Sequence, residues 1–238
     1  MAERIQKIIA NAGYCSRRKA EELIEKGVVQ MNGKTSKIGD KAEAHDEIFV
    51  KGEKIKRIEK KYYYILNKPK GILVTKDDPE GRKTIYDLDS VKKLTKGLGQ
   101  MLNYVGRLDG MTEGLLILTN DGDLTNNLTH PSKHAKKVYS LRVEPKITRE
   151  DIEKIEEGVD IEGQPLVGVI SGVEGNNFSL MIGEGRNRII RKVMEKLGYK
   201  IYMLKRISVE NIRLGDSEEG NLKELEDKDV EKLKKRLE

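Results

Sequence analysis

GRLDGMTEGLLILTNDG, residues 106–122, is the stretch that most narrows what this chain can fold into. Its apolar run Leu115–Leu118, opened by Gly114 and closed by Asn120, Asp121 and Gly122, reads as a strand ending in a tight turn. Just ahead of it, Arg107 and Asp109 flank one leucine. Two residues apart in what reads as extended chain, their side chains share a face. An isolated Arg-x-Asp is ordinarily a surface salt bridge near a strand end, so its meaning depends on the rest of the chain.

Around that stretch, further strands read from YYYILNK (62–68), GILVT (71–75), KVYSLRV (137–143), FSLMI (178–182) and IYMLKRI (201–207). Helices fit residues 123–129, 148–157, 187–197 and 227–237. Several strands are joined by loops rather than helices. This predicts an α+β fold whose mixed, largely antiparallel sheet is flanked by helices, not a doubly wound one. No GxGxxG, no GxSxG and no GxxxxGK followed by Ser or Thr occurs, which removes the usual dinucleotide, serine-hydrolase and nucleoside-triphosphate readings.

The 238 residues suffice for one or two domains, each with a core. No apolar run has the length of a membrane span, and the N-terminus MAERIQKIIA lacks a signal peptide's apolar stretch, so the expected location is cytoplasmic, with no membrane partner. Cys15 is the one cysteine, and His45, His130 and His134 form no HExxH pattern, so no disulfide and no metal site are expected. The formal net charge is +6. Residues 1–60 carry 14 Lys/Arg against 10 Asp/Glu, whereas residues 216–238 carry 6 against 9. Such a distribution favours a localised anion-binding surface over uniform solubilising charge.

The first segment reads helix, helix, hairpin. Ile5, Ile8, Ile9 and Ala12 follow helical spacing up to Gly13. Ser16 can cap a second helix with Ala20, Leu23 and Ile24 on its apolar face, and Asn32-Gly33 signals a hairpin turn. Arg17, Arg18 and Lys19 occupy the first turn of that second helix, where the macrodipole disfavours cations by a few tenths of a kcal/mol each. Two readings stand: a phosphate cradle at a helix start, or three solvated side chains. The charged connector KGEKIKRIEKK (51–61) marks a boundary, giving domains 1–58 and 59–238.

Four more cationic features follow. NKPKG (67–71) sets Lys68 and Lys70 around a proline turn. KKVYSLRV puts Lys137 and Tyr139 on one strand face, with Lys136 before them. GEGRNRIIRKVMEKLG places Arg186 before a helix with Arg188, Arg191 and Lys192 on one side and Ile190, Val193, Met194 and Leu197 on the other. Arg82 and Lys83 complete a set of expected phosphate contacts that includes Lys68, Lys70, Lys136 and Arg186.

The string ERIQKIIANAGYCSRRKAEELIEKGVVQMNGK, residues 3–34, resembles the S4-like RNA-binding domain, named after a ribosomal protein. The strings GRLDGMTEGLLILTNDGDLTNNLTHP, K-x-Y and EGRNRIIR resemble, in order, the motifs of bacterial-type ribosomal RNA pseudouridine synthases, in the branch joining small-subunit synthase A and large-subunit synthase B. The likeness runs from about residue 3 to about residue 235.

This resemblance implies RNA contacts from Arg17, Arg18, Lys19, Lys68, Lys70, Lys137, Arg186 and Arg188. It implies isomerisation of a uridine in ribosomal RNA, in a large-subunit stem-loop, by a monomer needing no cofactor, nucleotide or metal. The small-subunit RNA is the alternative target, and a non-catalytic ribosome-assembly factor the alternative function. Asp109 matches the catalytic carboxylate, which adds to ribose or base as a nucleophile or removes a C2′ proton to give a glycal. Arg107 matches the arginine that fills the space of the flipped nucleotide, Tyr139 the tyrosine stacked on uracil, and Arg191 the partner of the carboxylate. Tyr139 as a plain sheet residue and Arg191 as a solvated helix charge are the plainer readings. Ile189 departs from the family, where glutamine usually follows GRNR.

Overall fold

Helical spacing in the first thirty residues is realised as two short helices packed on a small sheet. The computed structural model describes residues 2–57 and 60–237 and divides into two units, Met1–Lys61 and Tyr62–Glu238. The boundary expected between residues 58 and 59 falls outside the described residues.

The first unit runs β1 (Glu3–Arg4), α1 (Ile5–Asn11), α2 (Arg17–Glu25), β2 (Val29–Met31), β3 (Lys34–Thr35), β4 (Lys41–Ala42), β5 (Ile48–Val50) and β6 (Glu53–Lys54). Ser16 Oγ accepts from Lys19 N at 3.2 Å, satisfying one of the amides that a helix start leaves free. Asn32 and Gly33 both take positive φ (51° and 79°), the two-residue turn whose twist suits a hairpin between β2 and β3. Ile5, Ile9, Ala20, Ile24, Val29 and Val50 form the core between helices and sheet. Arg17, Arg18 and Lys19 are all exposed.

The second unit comprises β7 (Tyr63–Lys68), α3 (Asp89–Leu98), β8 (Asn103–Val105), β9 (Glu113–Thr119), α4 (Gly122–Thr129), β10 (Lys137–Glu144), α5 (Arg149–Glu157), β11 (Val159–Ile161), β12 (Gln164–Leu166), β13 (Gly168–Glu174), β14 (Asn177–Ile182), α6 (Ile189–Lys196), β15 (Lys200–Val209), β16 (Ile212–Arg213), β17 (Leu222–Glu224) and α7 (Asp227–Leu237). Its main sheet has the order β13-β14-β10-β15-β9-β7-β17, with β8 also on β9 and β16 also on β15. Among the described residues only β9 and β15 pair in parallel there, so the sheet is mixed and largely antiparallel.

The apolar run of residues 115–118 is continuous because β9 is covered on both faces. Leu116 and Leu118 join a core with Val91 of α3, Ile155 of α5 and Val193 of α6. Leu115 and Ile117 join a second core with Leu124 of α4 and Leu233 of α7. Each helix expected in this unit is present, within two residues of its expected ends. The helix α3 and the strands β8, β11, β12, β13 and β17 were not legible as such.

Two expectations are corrected. GILVT is no strand: the chain turns out of the sheet at residues 69–71, and Leu73 makes a single bridge to Thr84. Residues 107–109 are likewise not in extended sheet structure. They form an irregular turn after β8, with Leu108 buried, Arg107 exposed and Asp109 between. No helix among the described residues is long and apolar enough to cross a membrane.

Candidate active site

Arg107 and Asp109 line one cavity of about 930 Å³ in the second unit, together with Lys137, Tyr139, Arg191 and Arg206. Four elements supply these side chains: the loop after β8, the start of β10, the first turn of α6, and the middle of β15.

The loop carrying Asp109 is held from below. Gly71 N donates to Gly110 O at 2.6 Å, and the Lys68 ammonium donates to Pro69 O at 2.8 Å and to Thr112 O at 2.9 Å. Asp109 closes its own turn by accepting from Met111 N at 2.9 Å. Its carboxylate then meets Arg191, with Nε to Oδ2 at 3.0 Å and Nη2 to Oδ1 at 3.4 Å. Arg191 Nη2 also donates to Thr112 Oγ1 at 3.1 Å, which fixes the guanidinium. Burial pushes the Asp109 pKa up, but the Arg191 hydrogen bond and charge, helped by Thr112 and the Met111 amide, outweigh it. The net value lies below the ordinary carboxylate range, so Asp109 is ionised at neutral pH although half-buried.

Tyr139 and Lys137, two apart on β10, share a face, and Tyr139 is 7% exposed. The Lys137 ammonium donates to Ala135 O at 2.8 Å. Burial, with Arg206 nearby, lowers its pKa to about 8. Arg107 is exposed and makes no ion pair or hydrogen bond with a described residue. Ile189, at the start of α6, is buried and puts an apolar side chain in the cavity wall.

Two expected phosphate-facing side chains, Lys68 and Arg186, have other places, and Arg188 departs from its expected helix. Lys68 is 0% exposed, and its donors are taken by the carbonyls under the Asp109 loop, so no phosphate reaches it. Arg186 is clamped onto Glu184 and donates to Ile161 O, Gln164 O and Pro165 O, tying the loop before α6 to the β11–β12 hairpin. Arg188 is not in the helix. It precedes α6 in the left-handed region (φ 51°) and is exposed at the cavity. Lys70 is exposed, and so are Arg82, which pairs with Asp78, Lys83 and Lys136.

Thr112 and Arg206 escaped the sequence reading. Thr112 stands within the GRLDGMTEGLL motif, but nothing in the string pointed to its contact with Arg191. Arg206 had a signal: it falls in phase with Leu204, so a cation sat on the buried side of an alternating strand. Among the described residues no group of three or more His, Cys, Asp or Glu could hold a metal ion.

Residues 62–196 match the family model described as RNA pseudouridylate synthase, and residues 3–48 match the S4 domain. A curated relative, ribosomal large subunit pseudouridine synthase B of Bacillus subtilis (strain 168), is 37% identical over 240 residues, covering 98% of this chain and 96% of its own. A protein of Aquifex aeolicus (strain VF5) described as an uncharacterized RNA pseudouridine synthase is 38% identical over 241 residues, covering 98% and 94%. A solved structure described as a crystal structure of pseudouridylate synthase superposes with a TM-score of 0.69 at 30% identity, covering 97% of this chain and 99% of that one.

Proposed function

We propose that this chain, which belongs to the RNA pseudouridylate synthase family, isomerises a uridine of large-subunit ribosomal RNA to pseudouridine, with Asp109 as the acting carboxylate. The target assignment follows the Bacillus subtilis relative, a ribosomal large subunit pseudouridine synthase B. The single observation that carries the catalytic assignment is the Asp109–Arg191 ion pair, at 3.0 Å, on the wall of a cavity roomy enough for a nucleoside.

The reaction breaks the C1′–N1 bond of uridine, turns the uracil and joins C1′ to C5. C5 loses a proton and N1 gains one, so the product is an isomer and no redox equivalent is exchanged. A carboxylate kept ionised by Arg191 serves either as nucleophile or as base at C2′. A glycosidase that ends in hydrolysis employs two carboxylates, whereas this reaction needs one. Arg107, exposed at the cavity and without a partner among the described residues, takes the place of the extruded nucleotide. Its interaction there offsets the few kcal/mol that unstacking costs. Tyr139 stacks on the uracil and serves as acid or base at C5.

Arg17, Arg18 and Lys19 at the start of α2 anchor the RNA, and Lys70, Lys137 and Arg188 add contacts near the cavity. The enzyme works as a cytoplasmic monomer without cofactor. Residues up to about 58 hold the RNA, and the remainder carries out the chemistry.

Pseudouridine mapping in ribosomal RNA from cells lacking the protein, or carrying Asp109→Asn, tests this reading. One large-subunit pseudouridine disappears in both strains. Loss of a small-subunit site instead moves the target, and an unchanged map in both strains sinks the activity. Growth rescued by Asp109→Asn without the modification reveals an assembly role beside the catalytic one.

A further inference from the structure

Arg206 is one of the most deeply placed cations in the chain, at 3% exposure, and it lines the same cavity as Asp109 and Tyr139. Its place is fixed by backbone. Gly114, with φ +100°, lets β9 approach so closely that a Cβ there would lie 2.3 Å from Arg206 O. Arg206 Nε then donates to Leu115 O at 2.8 Å. Neither Nη group meets an acceptor among the described residues, and Nη2 is buried without one. Tyr139 is its register partner across β10 and β15, so the two side chains are cross-strand neighbours. Lys137 lies two residues from Tyr139 on the same strand face, and burial and the charge of Arg206 depress its pKa to about 8.

Neither Arg206 nor Lys137 has a carboxylate within ion-pairing distance among the described residues. Glu210 and Glu184 act on the half-buried Lys137 only from beyond ion-pairing distance, and a buried guanidinium with an unsatisfied donor beside a second cation is costly. Arg191 is already bound to Asp109, so this second pair of charges is not committed to the carboxylate. A ligand that satisfies it must carry an oxygen with negative charge, deep in the cavity beside an aromatic ring. A phosphate retains much of its hydration and remains nearer the mouth. A base carbonyl goes where the base goes.

We propose that Arg206 is a further catalytic residue: its guanidinium, with Lys137 beside it, donates to a carbonyl oxygen of the uracil and holds the negative charge of the base while it is detached from C1′. This rests on the uridine-isomerising reading above. When the N1–C1′ bond breaks, its electron pair stays with the ring and spreads over O2 and O4. The charge leaves again once C5 has bonded to C1′, C5 has given up its proton and N1 has gained one. A donor to O2 or O4 is therefore stronger in the detached state than with bound uridine, which is the condition for accelerating a step.

The test combines enzyme variants with single-atom changes in the RNA. Full-length protein, as wild type, Arg206→Gln and Arg206→Lys, is given an RNA bearing uridine, 2-thiouridine or 4-thiouridine at the mapped target. Sulfur accepts hydrogen bonds poorly, and its intrinsic chemical effects are common to all three proteins. Arg206→Gln lowers the single-turnover rate by about 10²–10³-fold, while the Kd for the RNA changes by less than about threefold. One of the two thio substitutions slows the wild type, and both variants lose that sensitivity. Arg206→Lys keeps the charge and can still donate to Leu115 O, so it covers the case in which the glutamine variant unfolds. Equal thio effects in all three proteins overturn the contact, as does a variant that loses RNA affinity but not rate. No pseudouridine from the wild type would instead refute the activity on which the proposal rests.

Discussion

The start of α2 and the cavity wall of the second unit both concentrate cations, yet in opposite physical states. Arg17 and Arg18 stand exposed, without an ion pair among the described residues, and Lys19 is tethered to Glu22 at 2.8 Å. They sit at a helix start, where their own helix disfavours them slightly. In the second unit Lys68, Arg191 and Arg206 are fastened to carbonyls, a carboxylate or a hydroxyl, and lie buried or largely so. Exposed cations lend affinity to any polyanion and are screened by salt. Buried ones act on a single neighbour in a medium that screens little, so they set protonation states and loop positions. Charge counted along a sequence does not distinguish the two roles; depth does.

The comparison breaks most sharply at Asp109. Asp109→Asn keeps the size of the side chain and removes the charge that Arg191 stabilises. Single-turnover isomerisation falls by roughly 10⁴-fold or more, while RNA binding, carried by exposed cations, is retained. Equal losses in both would make Asp109 a folding residue. Arg191→Met comes next, with a loss of about 10²-fold at neutral pH. Without the guanidinium, burial is opposed only by Thr112 and the Met111 amide, and the Asp109 pKa rises. The acid limb of the pH–rate profile then moves up, whereas in the wild type it lies below the ordinary carboxylate range. The sign for stability is the same: the depressed pKa contributes above that range, and the contribution is lost as pH falls through the folded value. An acid limb that stays in place in Arg191→Met would break the link between the pair and the chemistry.

Lys68 shows how far the sequence could be read. NKPKG fixed a turn and two lysines, and both are present, but the pattern is silent on which ammonium faces solvent. Lys70 is exposed; Lys68 closes off three backbone carbonyls from below. The α+β class and the helices α4 to α7 were legible because residues 115–118 are a continuous apolar run and those helices are amphipathic. The candidate site was legible through its motif order, with Asp109, Tyr139 and Arg191 converging from three separate elements. Thr112 and Arg206 stayed hidden because their roles depend on interactions across β9, β15 and α6 that no local pattern encodes. Lys68→Met isolates this kind of buried cation. It takes the ammonium donor away from Pro69 O and Thr112 O, while Gly110 O keeps the Gly71 amide, and lowers stability by about 2–4 kcal/mol, read as a drop in denaturation midpoint. A variant with wild-type stability would return Lys68 to the surface.

The smallest effect belongs to the exposed set, and its form matters more than its size. Arg17→Ala with Arg18→Ala removes two charges that form no ion pair among the described residues, so the fold of the first unit and its denaturation midpoint stay as they are. Each phosphate that is no longer neutralised takes about 0.7–0.9 off the slope of log K against log salt. The double variant therefore binds RNA with a slope shallower by about 1.5. At saturating RNA its single-turnover rate equals that of the wild type, because neither side chain lines the cavity that holds Asp109. Lys19→Ala changes the slope less than either arginine, since Glu22 already holds part of its charge. An unchanged slope in the double variant would make the helix start a merely solvated turn, and the RNA would have to be held elsewhere.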